Sequence, residues 1–414
     1  MHYLNQKRKV FNMSNYYTQQ LPWSPNYDVN AIPPHEIPDP LTCFDGTKVT
    51  TPEEWFAKRR PELMAAYRKY FYGEELPLPD KTEYTLLEEK TILNGLGIRR
   101  QIELKFSMKS GTEYKIIMLV YLPADKKDVP VFVTLNFVGN HVVEADPDII
   151  PTGNIGDLAT ERGSASHRYP LDLILGKGYA IAAVTHHDIF FDNQDTGWQN
   201  SVCTKLFQLD PEKYSAIGVW SWGLSRMLDC LTAFVPEVDP EKAIVCGHSR
   251  LGKTSLWTMA RDERFKMACV NDSGCGGAAL NRRLYGETLF AMERYYKIGF
   301  WFVPLMKEYC LTPEKLPVEQ NELIALAAPR YIAVHSATED QWADPTGEYL
   351  STYHAGPVFQ LFGMSGPESE TPPPPETAVG NELSYYCRIG KHDIVAADFA
   401  HYIDRADQLF GIKR

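Results

Sequence analysis

Short apolar runs, separated by stretches long enough for a helix, restrict this chain more than any other feature. They are Val129 to Phe137, Tyr179 to Val184, Ala243 to Cys246, Lys266 to Asp272 and Arg330 to Ala337. The first is the most continuously apolar, as expected for a strand buried on both faces. Helical stretches lie between the runs: Pro170 to Gly176, and Ser215 to Phe234 with Ile217, Val219, Trp222, Leu224, Met227, Leu228 and Leu231 on its apolar side. Strands alternating with helices imply βαβ units and a mainly parallel sheet. From about Tyr84, two further strands precede the runs, Ile98 to Met108 and Glu113 to Leu122, and Val358 to Phe362 is expected to be the last strand before a final helix, Ala396 to Phe410.

The flanks are more irregular. Residues 1 to about 50 are rich in Tyr, Asn and Pro, which fixes φ and removes donors, and read as an arm wrapped on the body. Thr51-Pro52-Glu53-Glu54 opens a helix with a capping Thr, Pro in the first turn and acids at the positive end. Trp55, Arg59, Leu63 and Tyr67 continue it toward Tyr72. The expected division is an arm and helix over 1–80 and an α/β body over 81–414. Pro367 to Glu376, with four consecutive prolines, reads as a loop.

With 414 residues, 44% of them hydrophobic, the chain can bury a large core. A net charge of -11 argues against a nucleic-acid binder or a basic membrane-surface protein. No apolar run approaches the roughly 18 residues that span a bilayer. Met1 to Val10 is basic with no apolar run behind it, so no signal peptide is expected there. The eight cysteines include no CxxC pair, which argues against a zinc site. Cys246 and Cys269, in apolar runs, read as small buried hydrophobes; disulfide pairing, compartment and oligomeric state stay open.

The strand ending at Cys246 runs into Gly247-His248-Ser249-Arg250-Leu251-Gly252-Lys253 and then a helix-compatible stretch. A strand, a sharp Gly-bounded turn with Ser at its apex and a helix make the shape of a nucleophile elbow. Its spacing is G-x-S-x-x-G, one residue longer than the common form. The bland alternative is a βα turn whose Ser caps the helix. A serine nucleophile needs a base, and the base needs an orienting carboxylate. After Ser249 the histidines are His335, His354, His392 and His401. His335 sits inside an apolar strand, His354 just before the expected last strand, and His401 within the final helix. His392, in a Gly-containing loop before that helix, is the expected base. Asp272 and Asp340 both follow strands at the carboxyl edge of the sheet and compete to orient it.

These residues resemble the G-C/H-S-R-x-G-K elbow of the glucuronoyl esterases, carbohydrate esterase family 15. The similarity extends to Leu135 to His141, Trp220 to Arg226, Asn271 to Leu280, Tyr285 to Thr288, Glu339 to Pro345 and Gly390 to Asp393, and looks like the bacterial branch. It implies an α/β-hydrolase fold, a three-layer sandwich around a mainly parallel sheet, with no metal or cofactor. It also implies hydrolysis of (4-O-methyl-)glucuronic acid esters in glucuronoxylan, including lignin–carbohydrate links, and a family mostly secreted or periplasmic. By resemblance Ser249 is the nucleophile, His392 the base and Asp272 the first choice of acid, with Asp340 at the second acid position of bacterial members. Many members carry Glu where Asp272 stands. Arg250 would stabilise the oxyanion, and Lys253, Glu287 and Trp342 would hold the sugar. The rivals are an acetylxylan esterase or another α/β-hydrolase such as an oligopeptidase-type serine peptidase, and a catalytically silent carbohydrate-binding protein with a hydrolase shell.

Overall fold

The computed structural model describes residues 24–153, 161–296 and 299–414; residues 1–23 of the expected arm lie outside them. The strands are β1 (Lys81–Ile92), β2 (Gly97–Ser107), β3 (Glu113–Pro123), β4 (Val129–Asn136), β5 (Ala180–Thr185), β6 (Val238–His248), β7 (Met267–Asn271), β8 (Tyr331–Ala337), β9 (Val379–Gly380) and β10 (Leu383–Arg388). They pair in one sheet of order β1-β2-β3-β5-β4-β6-β7-β8-β10-β9. The stretch from β5 to β10 is parallel throughout, while β1, β2, β3 and β9 pair antiparallel at the two margins.

Alternate residues of the central strands enter different cores. Val131, Val133 and Leu135 of β4 join Ala180 and Ala182 of β5 and Ala243 and Val245 of β6 in one cluster. Phe132, Ile181, Ile244 and Cys246, one position along, join a second cluster. Successive side chains of a strand point to opposite faces, so continuously apolar strands require cover on both sides. Helices Leu171–Gly176 and Ala396–Phe410 supply it on one face through Ile174, Leu175, Phe399 and Tyr402. Helices Ala216–Phe234, Arg250–Arg261 and Pro345–Leu361 cover the other. The result is the expected three-layer sandwich.

Local signals act where they were read. Ser215 accepts from the Gly218 N–H at 3.0 Å and caps Ala216–Phe234. Thr51 caps the helical stretch 52–72, which buries Trp55, Leu63, Tyr67, Phe71 and Tyr72 in the larger core. All eight cysteines are buried and unpaired.

One expected strand is a helix. Val358 lies inside Pro345–Leu361, with Phe362 as its C-cap. Val358, Phe359, Leu361 and Phe362 are spaced as one face of a helix, and a short apolar run does not reveal its own period. Pro357 lies within that helix. The sheet instead ends with β10 and the two-residue β9. His354 is therefore helical too, and its Nε2 meets the exposed Glu370 at 3.1 Å.

Candidate active site

Ser249 stands between the end of β6 and helix Arg250–Arg261 with φ 57° and ψ -131°. A positive φ is strained for a residue with a Cβ and persists only where the surroundings enforce it. Here the Ser249 N–H donates to the Asn271 carbonyl of neighbouring β7 at 2.9 Å. Its own carbonyl accepts from the N–H groups of Gly252 at 2.8 Å and Lys253 at 3.1 Å. A Cβ on Gly247 would meet the Leu251 carbonyl oxygen at 2.1 Å, and one on Gly252 would approach the Asn271 oxygen at 3.0 Å and the Ser273 Cβ at 3.1 Å. The second glycine falls at 252 because there the helix presses on β7 and its following loop.

The other candidates leave the same edge of the sheet. His248 pairs with Asn271 and Asn271 with His335, so β6, β7 and β8 end in register. Ser249 follows β6, Asp272 follows β7, Asp340 follows β8 and His392 follows β10. Strand order brings His392 to Asp340. β8 adjoins β10, whereas β7 is one strand further away. His392 Nδ1 lies 2.5 Å from Asp340 Oδ2, and Asp340 is buried in a turn where it also accepts from the Ala343 N–H at 3.3 Å.

Asp272 sits beside this pair, in a different contact from the one the sequence put first. Its Oδ2 accepts from the Asp393 N–H at 3.3 Å and from Arg388 Nη2 at 3.4 Å, while Oδ1 is buried without a hydrogen bond. Burial, with the nearby charges of Glu348 and Asp340, pushes its carboxyl well above the usual carboxylate range, against the pull of Arg388. Arg388, which the sequence did not single out, also donates through Nη2 to the carbonyls of Lys391 and Asp393, each at 2.5 Å. It thereby grips both sides of His392. The imidazole packs on the buried ring of His248, centroids 4.4 Å apart. Burial, then the adjacent His392, pushes the His248 pKa well below the usual imidazole range.

Arg250 opens the elbow helix, whose first N–H groups have no intrahelical acceptor and carry the positive end of its dipole. Its guanidinium lies between the rings of Phe137, 5.0 Å to the centroid, and Trp301, 5.3 Å. Nε is 2.6 Å from Asp192 Oδ2, close but poorly aligned for a hydrogen bond. One turn on, buried Lys253 donates to Glu287 Oε2 at 2.9 Å and to the Ser273 carbonyl at 2.5 Å. Trp342 Nε1 donates to Glu287 Oε1 at 3.3 Å. Lys253 is thus a buried group, paired across the site.

The loop 273–277 is tied from beneath by Glu348, another residue sequence reasoning missed. Its Oε1 accepts from the Ser273 N–H at 2.7 Å, the Gly274 N–H at 2.9 Å and the Ser273 hydroxyl at 2.9 Å, and Oε2 accepts from the Ser336 hydroxyl at 2.6 Å. Burial pushes this carboxyl up to about 7.

Ser249, Arg250, Lys253, Asp272, Glu287, Trp342 and His392 line one cleft of about 560 Å³, together with Ser273, Trp301 and Ala343. Every candidate residue reaches it except Asp340, which stands behind His392. His335 lies elsewhere, buried, with Nδ1 3.0 Å from Asp398. His401 packs on the Tyr386 ring at 3.9 Å. Asp272, Asp340 and His392 bring potential ligand atoms within 4.8 Å of one another. His392 Nδ1 is already committed to Asp340. Among the described residues, no helix is long and apolar enough to cross a membrane.

Comparison with known proteins places this geometry. A family model described as "Glucuronyl esterase, fungi" matches residues 160–363. A carbohydrate esterase, MZ0003, from an unknown prokaryotic organism is 39% identical over 92% of this chain and 91% of its own length. Among solved structures, a promiscuous esterase of carbohydrate esterase family 15 from a marine bacterial metagenome shares 37% identity at a TM-score of 0.83, over 93% of this chain and 99% of that one. A glucuronoyl esterase from Solibacter usitatus shares 33% at a TM-score of 0.84, over 91% and 99%. The sheet order, the serine elbow and these similarities agree: the chain has the α/β-hydrolase fold and belongs to the glucuronoyl esterases of carbohydrate esterase family 15.

Proposed function

We propose that this protein cleaves glucuronoyl esters, such as the ester links between lignin alcohols and the (4-O-methyl-)glucuronic acid of glucuronoxylan, through a glucuronoyl-enzyme intermediate. The observation that carries the proposal is the His392–Asp340 pair at 2.5 Å, opening on the cleft that holds strained Ser249 and Arg250. His392 takes the Ser249 proton as Oγ attacks the C6 carbonyl, and Asp340 holds the ring and stabilises the imidazolium that forms. Arg250 and the first N–H groups of its helix receive the charge that develops on the carbonyl oxygen. His392 returns the proton to the departing alcohol. Water then attacks the acyl-enzyme by the same route, freeing the acid and Ser249.

Lys253, Glu287 and Trp342 form the sugar wall. A Trp face suits an apolar pyranose face, and the Lys–Glu pair offers a donor and an acceptor to ring hydroxyls. Asp272 acts as a buttress for the His392 loop.

The test is hydrolysis of benzyl glucuronate beside acetylated xylan and a peptide ester, with wild type and Ser249→Ala. Cleavage of the uronate ester that Ser249→Ala abolishes supports the proposal. Faster deacetylation without uronate-ester cleavage would assign an acetylxylan esterase. Sugar binding without turnover of any substrate would assign a silent carbohydrate-binding protein.

A further inference from the structure

We propose that Asp192 is a positioning residue for Arg250, and that it offsets the arginine's charge so that the acid product is not retained. The inference rests on the reading of Arg250 as the cation facing the oxyanion.

Asp192 lies in the segment between β5 and helix Ala216–Phe234, 58 residues before Arg250, and its side chain is 7% exposed. Oδ1 accepts from Trp301 Nε1 at 2.7 Å, and Oδ2 lies 2.6 Å from Arg250 Nε and 3.4 Å from His186 Nε2. The Asp192 N–H donates to His187 Nδ1 at 3.1 Å. Backbone and both oxygens are thus held, and the carboxylate has little freedom to follow Arg250 if the arginine moves. Burial disfavours its charge, but the contact with His186 and the charge of Arg250 outweigh burial and keep it ionised. His187, packed on His186 at 4.1 Å, is kept neutral by burial, its pKa pushed down to about 3. Of the two basic side chains on Oδ2, Arg250 is the nearer, at 2.6 Å against 3.4 Å for His186.

Two consequences follow for a site that converts a neutral ester into a carboxylate. An arginine side chain is long and flexible, and a donor stabilises a transition state best when it is oriented beforehand. The Asp192 contact at the Nε edge, with Phe137 and Trp301 on the faces, fixes that orientation while the side chain stays 30% exposed toward the cleft. The product is a uronate whose new negative charge forms next to Arg250. A guanidinium without its counter-charge would bind that anion strongly and slow release. The fixed carboxylate opposes it by like-charge repulsion.

The experiment measures kcat on benzyl glucuronate and the inhibition constant of free glucuronate in wild type, Asp192→Asn, Asp192→Glu, Arg250→Ala and Asp192→Asn/Arg250→Ala, each with its melting temperature. Asp192→Asn is expected to lower kcat about tenfold or more and to tighten glucuronate inhibition about threefold to tenfold. Asp192→Glu keeps the charge but moves the carboxylate, so kcat falls and the inhibition constant stays near wild type. Both effects of Asp192→Asn should vanish in the Arg250→Ala background. Additive losses in the double variant, or unchanged or weakened glucuronate inhibition in Asp192→Asn, overturn the inference. If Asp192→Asn does not fold, wild-type kcat in Asp192→Glu overturns it. Arg250→Ala alone separates the two readings: an unimpaired kcat there refutes the role of Arg250 itself.

Discussion

His392 and Asp340 meet at 2.5 Å through Nδ1 and Oδ2, although 52 residues separate them, because each leaves the carboxyl end of one of two adjacent parallel strands. Asp272 reaches the same loop but contacts its backbone at Asp393 and the guanidinium of Arg388. The two acids therefore predict different losses. Asp340→Asn should lower kcat on the order of 10⁴-fold, as expected when an orienting carboxylate becomes an amide. Asp272→Asn replaces a carboxyl already pushed toward its neutral form with a neutral amide of the same shape, and should cost about tenfold or less in kcat. Steady-state kinetics on benzyl glucuronate check the ordering, and the reverse ordering would return the orienting role to Asp272.

Gly274 has φ +63°, and a Cβ there would lie 2.4 Å from Glu287 Oε2. Gly274→Ala should therefore act on the sugar wall first. The expected outcome is a KM raised about tenfold or more with a smaller change in kcat, since misplacing a binding group removes uniform binding. A kcat loss with unchanged KM would show that the loop serves the reacting atoms instead.

The Lys253–Glu287 pair is almost wholly buried, at 3% and 8% side-chain exposure. Lys253→Met leaves the Glu287 charge without its cation, which should destabilise the fold by about 3–5 kcal/mol. Adding Glu287→Gln should recover much of that loss without restoring activity. Urea denaturation of the single and double variants measures both, and equal stabilities would rule out the pair as the cause.

Glu348 sets a pH dependence whose sign follows from burial. Its carboxyl is raised from 4.5 to about 7 in the folded protein. Between those values the unfolded chain gives up the proton while the folded one retains it. Stability from this group is full below about pH 4.5 and is lost as the pH rises through about 7. Glu348→Gln removes the titration, and its amide can still accept from Ser273 and Gly274. The melting temperature of Glu348→Gln relative to wild type should therefore rise steadily from pH 5 to pH 8, by an amount equivalent to at most about 3 kcal/mol at one pKa unit per 1.36 kcal/mol. A difference independent of pH would contradict the raised pKa.

The chain alone determined what depends on neighbours in sequence. Continuous apolarity in β4 and β5 required cover on both faces, Ser215 and Thr51 marked helix starts, and Gly247 and Gly252 bounded a turn that holds Ser249 at positive φ. The loop before Ala396–Phe410 offered His392 as the base for the same local reason. Where periodicity was ambiguous, as at Val358 to Phe362, packing in the core made a helix of an expected strand. Only the tertiary structure put His392 in contact with Asp340, because strand order, which spacing does not encode, sets β8 beside β10. It alone joined Asp192 to Arg250, Arg388 to the His392 loop and Glu348 to the loop 273–277. Those contacts form between segments far apart in the chain, where charge, burial and distance become defined only once the sheet and its covering helices are in place.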